Sequence, residues 1–218
     1  ATTSNAETLS QLTGDVGSLF IPFNHLSGNI KVPAVISHFA SWPSSKPILT
    51  DAKGTELASI LLLASLHNRN IHVMNVTSKD DINLVTLSKE KGLKITCDVS
   101  IYSLFLTRSD FPDCAGLPTA EDQKALWEHL SGIDVFSIGS IPYQLAGKNA
   151  SPTVGISDAL PLLLTAVSQG RLTVNDIVDR LYHNPKRIFE LHEQPDASVE
   201  VELDREYIYR NDKAWSPF

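Results

Sequence analysis

Seven histidines, two cysteines and 25 acidic residues are the raw material for a metal centre or an acid–base pair in this chain of 218 residues. Metal-assisted hydrolysis needs several such side chains converging on one point. The spacing does not bring them together. There is no H-x-H and no H-E-x-x-H. His38, His67 and His129 fall in helical stretches or at their ends, His183 and His192 flank another, and His25 sits in a loop. His72 is the best ligand candidate because it lies in a strand. It shares parity with Met74 and Val76, opposite to Asn75, so with Asn75 facing inward His72 is expected to face the helices as a satisfied structural residue. Cys97 falls in a strand and Cys114 in a loop, neither with a partner at metal or redox spacing. No G-x-S-x-G elbow supports a serine nucleophile. "AGKNAS" (146–151) has the Gly-Lys of a phosphate loop without its upstream glycine or following Ser/Thr. "KDD" (79–81) reads as the charged start of a helix. "NPKRIF" (184–189) offers Lys186 and Arg187 to an anion, although a solvated helix face is the plainer reading. The sequons at Asn75 and Asn149 read as chance matches.

The elements that must position these residues alternate. Strands are expected at 16–23, 46–50, 70–76, 93–100, 133–138 and 198–203. Helices are expected at 31–42, 55–68, 79–92, 120–132, 157–169, 173–183 and 184–191, the last opening on Asn184 as cap with Pro185 at its first position. Apolar strands alternating with helices mean a parallel sheet covered by helices, α/β in class. No glycine-rich phosphate turn follows any strand, which favours a (β/α) barrel over a doubly wound sheet. There is no internal repeat, linker or bilayer-spanning apolar run. The net charge of −7 argues against nucleic acid and anionic membrane as partners. With no signal peptide visible and its cysteines unpaired, the chain is expected in the cytoplasm.

In a parallel barrel, chemistry sits at the C-terminal strand ends. Those ends read Asn24, Asp51, Asn75, Tyr102, Ser103, Gly139 and Ser140, of which only Asp51 is an acidic or basic residue. One aspartate does not hold a catalytic divalent ion.

Several stretches resemble a known family. "LPLLLTAVSQGRLTVNDIVDRLYHNPKRIFEL" (160–191) resembles the C-terminal helices of dihydroorotases, and more narrowly those of the dihydroorotase domain of CAD-type multifunctional pyrimidine proteins. "KGLKITCDVSIYSLFLT" (91–107), "IHVMNVTSKDDI" (71–82), "KALWEHLSGID" (124–134) and the closing "KAWSPF" fit as well. The resemblance covers nearly the whole chain. It implies an amidohydrolase-type (β/α)8 TIM barrel whose active members use two zinc ions, a bridging carboxylated lysine and a catalytic aspartate. It places the bridging lysine at Leu19 and metal histidines at Asp51 and Asn75. The paired histidines after the next strand fall on Tyr102 and Ser103. The catalytic aspartate falls on Gly139, and the histidines of its motif on Ser140 and Tyr143. Every one of these positions carries a different residue, so no catalytic residue, metal or cofactor is expected.

The resemblance starts at about the fourth barrel strand. It implies residues 1–197 as the dihydroorotase-like barrel portion, the first strands being absent from this chain, and 198–218 as a C-terminal strand and tail. Five barrel strands alone leave two open edges. The function it implies is an inactive dihydroorotase-like domain of a fungal-type CAD-like protein, a structural scaffold between flanking carbamoyl-phosphate synthetase and aspartate transcarbamoylase domains of the same polypeptide. A homo-oligomer is a further expectation of the barrel class. Two alternatives stand beside this reading: a small-molecule sensor using the old cleft, and an amidohydrolase with a relocated site built on Asp51 and His25.

Overall fold

The computed structural model describes residues 16–23, 32–139, 141, 155–193 and 198–202. Five strands, β1 (Leu19–Ile21), β2 (Ile48–Thr50), β3 (Ile71–Val73), β4 (Ile95–Ser100) and β5 (Val135–Ser137), form one sheet. All neighbours are parallel and pair in chain order. A doubly wound sheet reverses its order at a switch point; an unbroken parallel succession is the wall of a barrel. The crossovers are α1 (Val32–Ser41), α2 (Gly54–His67), α3 (Lys79–Glu90), and α4 (Ile101–Phe105) with α5 (Ala120–Glu128). After β5 come α6 (Ile156–Ser168) and α7 (Val174–Val178). A π turn (Asp179–His183) joins α7 to α8 (Asn184–Phe189).

The register separates two faces. Leu19, Ile48, Ile71 and Ile95 are aligned across four strands on one of them. They join the core with Leu57, Ile60 and Leu61 of α2 and Ile82 and Val85 of α3. Burying each such side chain contributes about 1.5–3 kcal/mol. The opposite face aligns Phe20, Leu49, His72 and Thr96, followed along β4 by Asp98 and Ser100. It is the polar, more open face, and Phe20 on it is 42% exposed.

Helix ends follow local chemistry. Ser78 caps α3 by accepting the Asp81 N–H, and the Asp81 carboxylate accepts the Gly54 N–H of α2 at 2.8 Å. Lys53, at the start of α2, supplies no side-chain cap of its own. Thr119 with Asp122 and Thr173 with Asp176 form capping boxes at α5 and α7. Asn68 (φ 50°) and Gly92 (φ 79°) take the left-handed conformation beyond α2 and α3.

Three expectations change. Residues 198–202 are not a strand, and Val199 is 77% exposed; alternation marks a strand only where a neighbour supplies the ladder. Residues 101–105, part of no expected element, form the short buried helix α4. Asn184 opens α8 without capping it: its backbone is already helical, and its amide donates to the Asp134 carbonyl at 2.9 Å. The π turn carries the chain through, and within it Arg180 donates to the carbonyls of Ile133 and Leu130.

Candidate functional site

Side chains from three strand ends meet at the C-terminal edge of the sheet. Ser100 closes β4, Asn75 follows β3 and Gly139 follows β5. Asn75 has φ 53° and Gly139 φ 65°. A Cβ at Gly139 would lie 3.1 Å from Ser100 Cβ, 3.2 Å from its Oγ and 3.3 Å from Asn75 Oδ1. The Ser100 hydroxyl donates to the Ile138 carbonyl at 2.8 Å, and Asn75 Oδ1 is buried without a hydrogen-bond partner.

The other positions named by the resemblance are spent on structure. Asp51 Oδ1 accepts the Phe23 N–H at 2.5 Å, tying the end of β1 to the end of β2. Tyr102 is fully buried and donates from its hydroxyl to the Gly155 carbonyl at 2.5 Å. It packs with Cys114, Leu117 and Ile141 in a small apolar cluster. Ser103 is fully buried, its hydroxyl oxygen without a partner. Leu19 is not brought to the cluster: its register with Ile48 sets it on the helix-covered face. Ser140, Tyr143, His25 and the 146–151 loop lie outside the described residues.

His72 corrects the parity argument. It stands on the polar face, aligned with Thr96 and buried, and not toward the layer of α2 and α3. The left-handed turn at Asn75 breaks the alternation on which the expectation rested. His72 is nevertheless a satisfied structural residue. Its Nδ1 lies 2.9 Å from Thr96 Oγ1 and its Nε2 3.2 Å from Asp98 Oδ2, with Phe189 of α8 edge-on at 5.0 Å. Ser137 donates to the other Asp98 oxygen at 2.6 Å. The buried carboxylate of Asp98 thus joins β3, β4 and β5. Its only sequence signal is an acidic residue inside the apolar strand "ITCDVS". Cys97, beside it, is inert: burial pushes its thiol up to about 12.

The strand-end residues do not fit a pair of zinc ions. An amide, a hydroxyl and a glycine offer no anionic ligand and no imidazole. No group of three or more His, Cys, Asp or Glu gathers among the described residues. Asn75, Ser100 and Gly139 offer no acid or base to move a proton. No helix among the described residues is long and apolar enough to cross a membrane.

No protein-family model matches the chain. It is 74% identical over 219 residues to the multifunctional protein pyrABCN of Emericella nidulans, the match taking in all of this chain and 10% of that protein. The chain therefore spans about a tenth of the length of that relative. Among solved structures it resembles the inactive dihydroorotase-like domain of the Chaetomium thermophilum CAD-like multifunctional protein. The TM-score is 0.93 at 65% identity, over all of this chain and 66% of that one. An L-hydantoinase (dihydropyrimidinase) from Arthrobacter aurescens shares the fold, at TM-score 0.67 and 16% identity over 86% of this chain and 54% of that one.

Proposed function

Since the chain belongs to the dihydroorotase-like domains of CAD-like multifunctional proteins, we propose that it serves such a polypeptide as a catalytically inactive structural domain. In this reading it is a cytoplasmic linker and scaffold between carbamoyl-phosphate synthetase and aspartate transcarbamoylase in pyrimidine synthesis. Residues 1–197 form the barrel portion from the fourth strand onward, and 198–218 a C-terminal segment. The observation that carries the reading is Gly139. At the position of the family's catalytic aspartate stands a residue with φ 65°, where a Cβ would crowd Ser100 at 3.1 Å. Asn75, Asp51, Tyr102 and Ser103 fit the same loss, and Leu19, Ser140 and Tyr143 complete it in sequence. A ligand-binding role for the old cleft finds no support from Tyr102, which is buried in an apolar cluster with Ile141.

The test is made on the complete domain supplied with excess zinc. We expect no stoichiometric zinc and no interconversion of carbamoyl aspartate and dihydroorotate. Two bound zinc ions with turnover would sink the reading. Replacing the domain by a flexible linker in the full polypeptide then tests the scaffold. Assembly of the flanking enzymes is expected to fall while each keeps its own turnover; unchanged assembly would leave the domain without this role.

A further inference from the structure

At the N-terminal ends of the strands, away from Asn75 and Gly139, a cleft of about 410 Å³ separates the sheet from α8. Asn70, Lys94 and Thr96 form its sheet wall, and Arg187 and Ile188 its helix wall. Lys89 and Asp134 also line it but pair with each other. Glu190 is the remaining carboxylate.

The cations at this end outnumber their local partners. The Lys94 ammonium has no partner among the described residues. Arg187 is engaged only by a 3.3 Å contact with Asn184 Oδ1 of its own helix, which leaves most of its guanidinium unspent. An adjoining recess of about 210 Å³ shares Leu93 and Lys94 and adds Arg69 and Lys91. Arg69 commits Nε and one Nη to the carbonyls of Phe39 and Ala40. A chain of net charge −7 therefore gathers an excess of positive charge here, with Asp134 held by Lys89 and Glu190 the other carboxylate of the lining, and such an excess concentrates the opposite ion. The cleft's volume falls within the roughly 300–1,000 Å³ of small-molecule sites. Lys94, just before β4, and Arg187, on α8, line the cleft from its two walls.

We propose that this cleft binds a small phosphate-bearing molecule. The phosphate dianion lies between Lys94 as a point charge and Arg187 as a planar fork. The Asn70 amide supplies a neutral contact from the sheet wall. The ion pair of Lys89 with Asp134 closes the floor. The site is independent of the lost chemistry at the other end of the sheet.

The experiment titrates the complete domain with inorganic phosphate and, separately, with glycerol 3-phosphate at constant ionic strength, followed by calorimetry. One saturable site per domain is expected for both probes. Lys94→Gln together with Arg187→Gln should weaken binding at least tenfold, and the exposed Lys94→Gln alone about threefold. Lys124→Gln, outside the cleft, should leave binding unchanged. No saturation beyond that seen with chloride would overturn the proposal. Equal affinity in the folded double variant, or in Lys94→Gln should the double variant fail to fold, would overturn it as well.

Discussion

Glycine at 139 removes more than a carboxylate. Its left-handed backbone strains any side chain placed there, and the Ser100 side chain at 3.1 Å would have to give way to a Cβ. Writing the aspartate back should therefore fail twice. Gly139→Asp is expected to bring neither zinc nor turnover. It should lower stability by about 1–3 kcal/mol, the usual cost of a strained backbone position. Urea unfolding beside a metal assay checks both. Restored turnover at undiminished stability would mean that the strand end keeps room for its lost acid. At this scale the sequence disclosed residue types but not poses. Asparagine tolerates a positive φ without requiring it, so the turn at Asn75 left no mark in the pattern. Asp98 looked like a strand interior because its partner His72 lies 26 residues away.

The short helices depend on their caps. Removing the Thr173 hydroxyl should cost about 1 kcal/mol, as N-cap losses do; Thr173→Ala followed by denaturant unfolding measures it. The pH dependence follows from Asp176. Burial raises its carboxyl pKa, but the Thr173 hydroxyl and N–H and the Arg180 guanidinium outweigh burial and hold it below the usual range. The folded pKa is thus depressed. The stabilisation is complete above the unfolded value of about 3.9 and is lost as pH falls through the folded one. Asp122 behaves alike: burial opposes, while the Lys79 and Thr119 N–H groups and the Thr119 hydroxyl lower it. Unfolding followed from about pH 6 to pH 3 should show stability falling at the acid end, with a shallower fall in Thr173→Ala. A slope unchanged by that substitution would remove Asp176 as a cause. Long elements with apolar periodicity, such as α2 with Leu57, Ile60, Leu61 and Ala64, were legible to within a residue or two. The helix α4 was not, because five residues buried nearly all round carry no period.

The whole molecule is legible as a succession of parallel units. The barrel class followed from alternation and the absence of a phosphate turn, and the strand order bears it out. Beyond the last helix, the alternation at 198–202 found no neighbour to pair with. Among the described residues β1 and β5 each pair on one side only. Unpaired edges recruit other strands, so this chain by itself is expected to associate as its concentration rises. The complete domain should stay at one size. Light scattering across a dilution series separates the two, and a monodisperse isolated chain would show that its edges are covered. One carboxylate adds a different kind of unity. Asp81 holds the N–H of Gly54 while Ser78 caps its own helix, so the first turns of α2 and α3 share a single anchor. Their amides should then exchange with solvent as one cooperative opening, at a common free energy, rather than fraying one helix at a time.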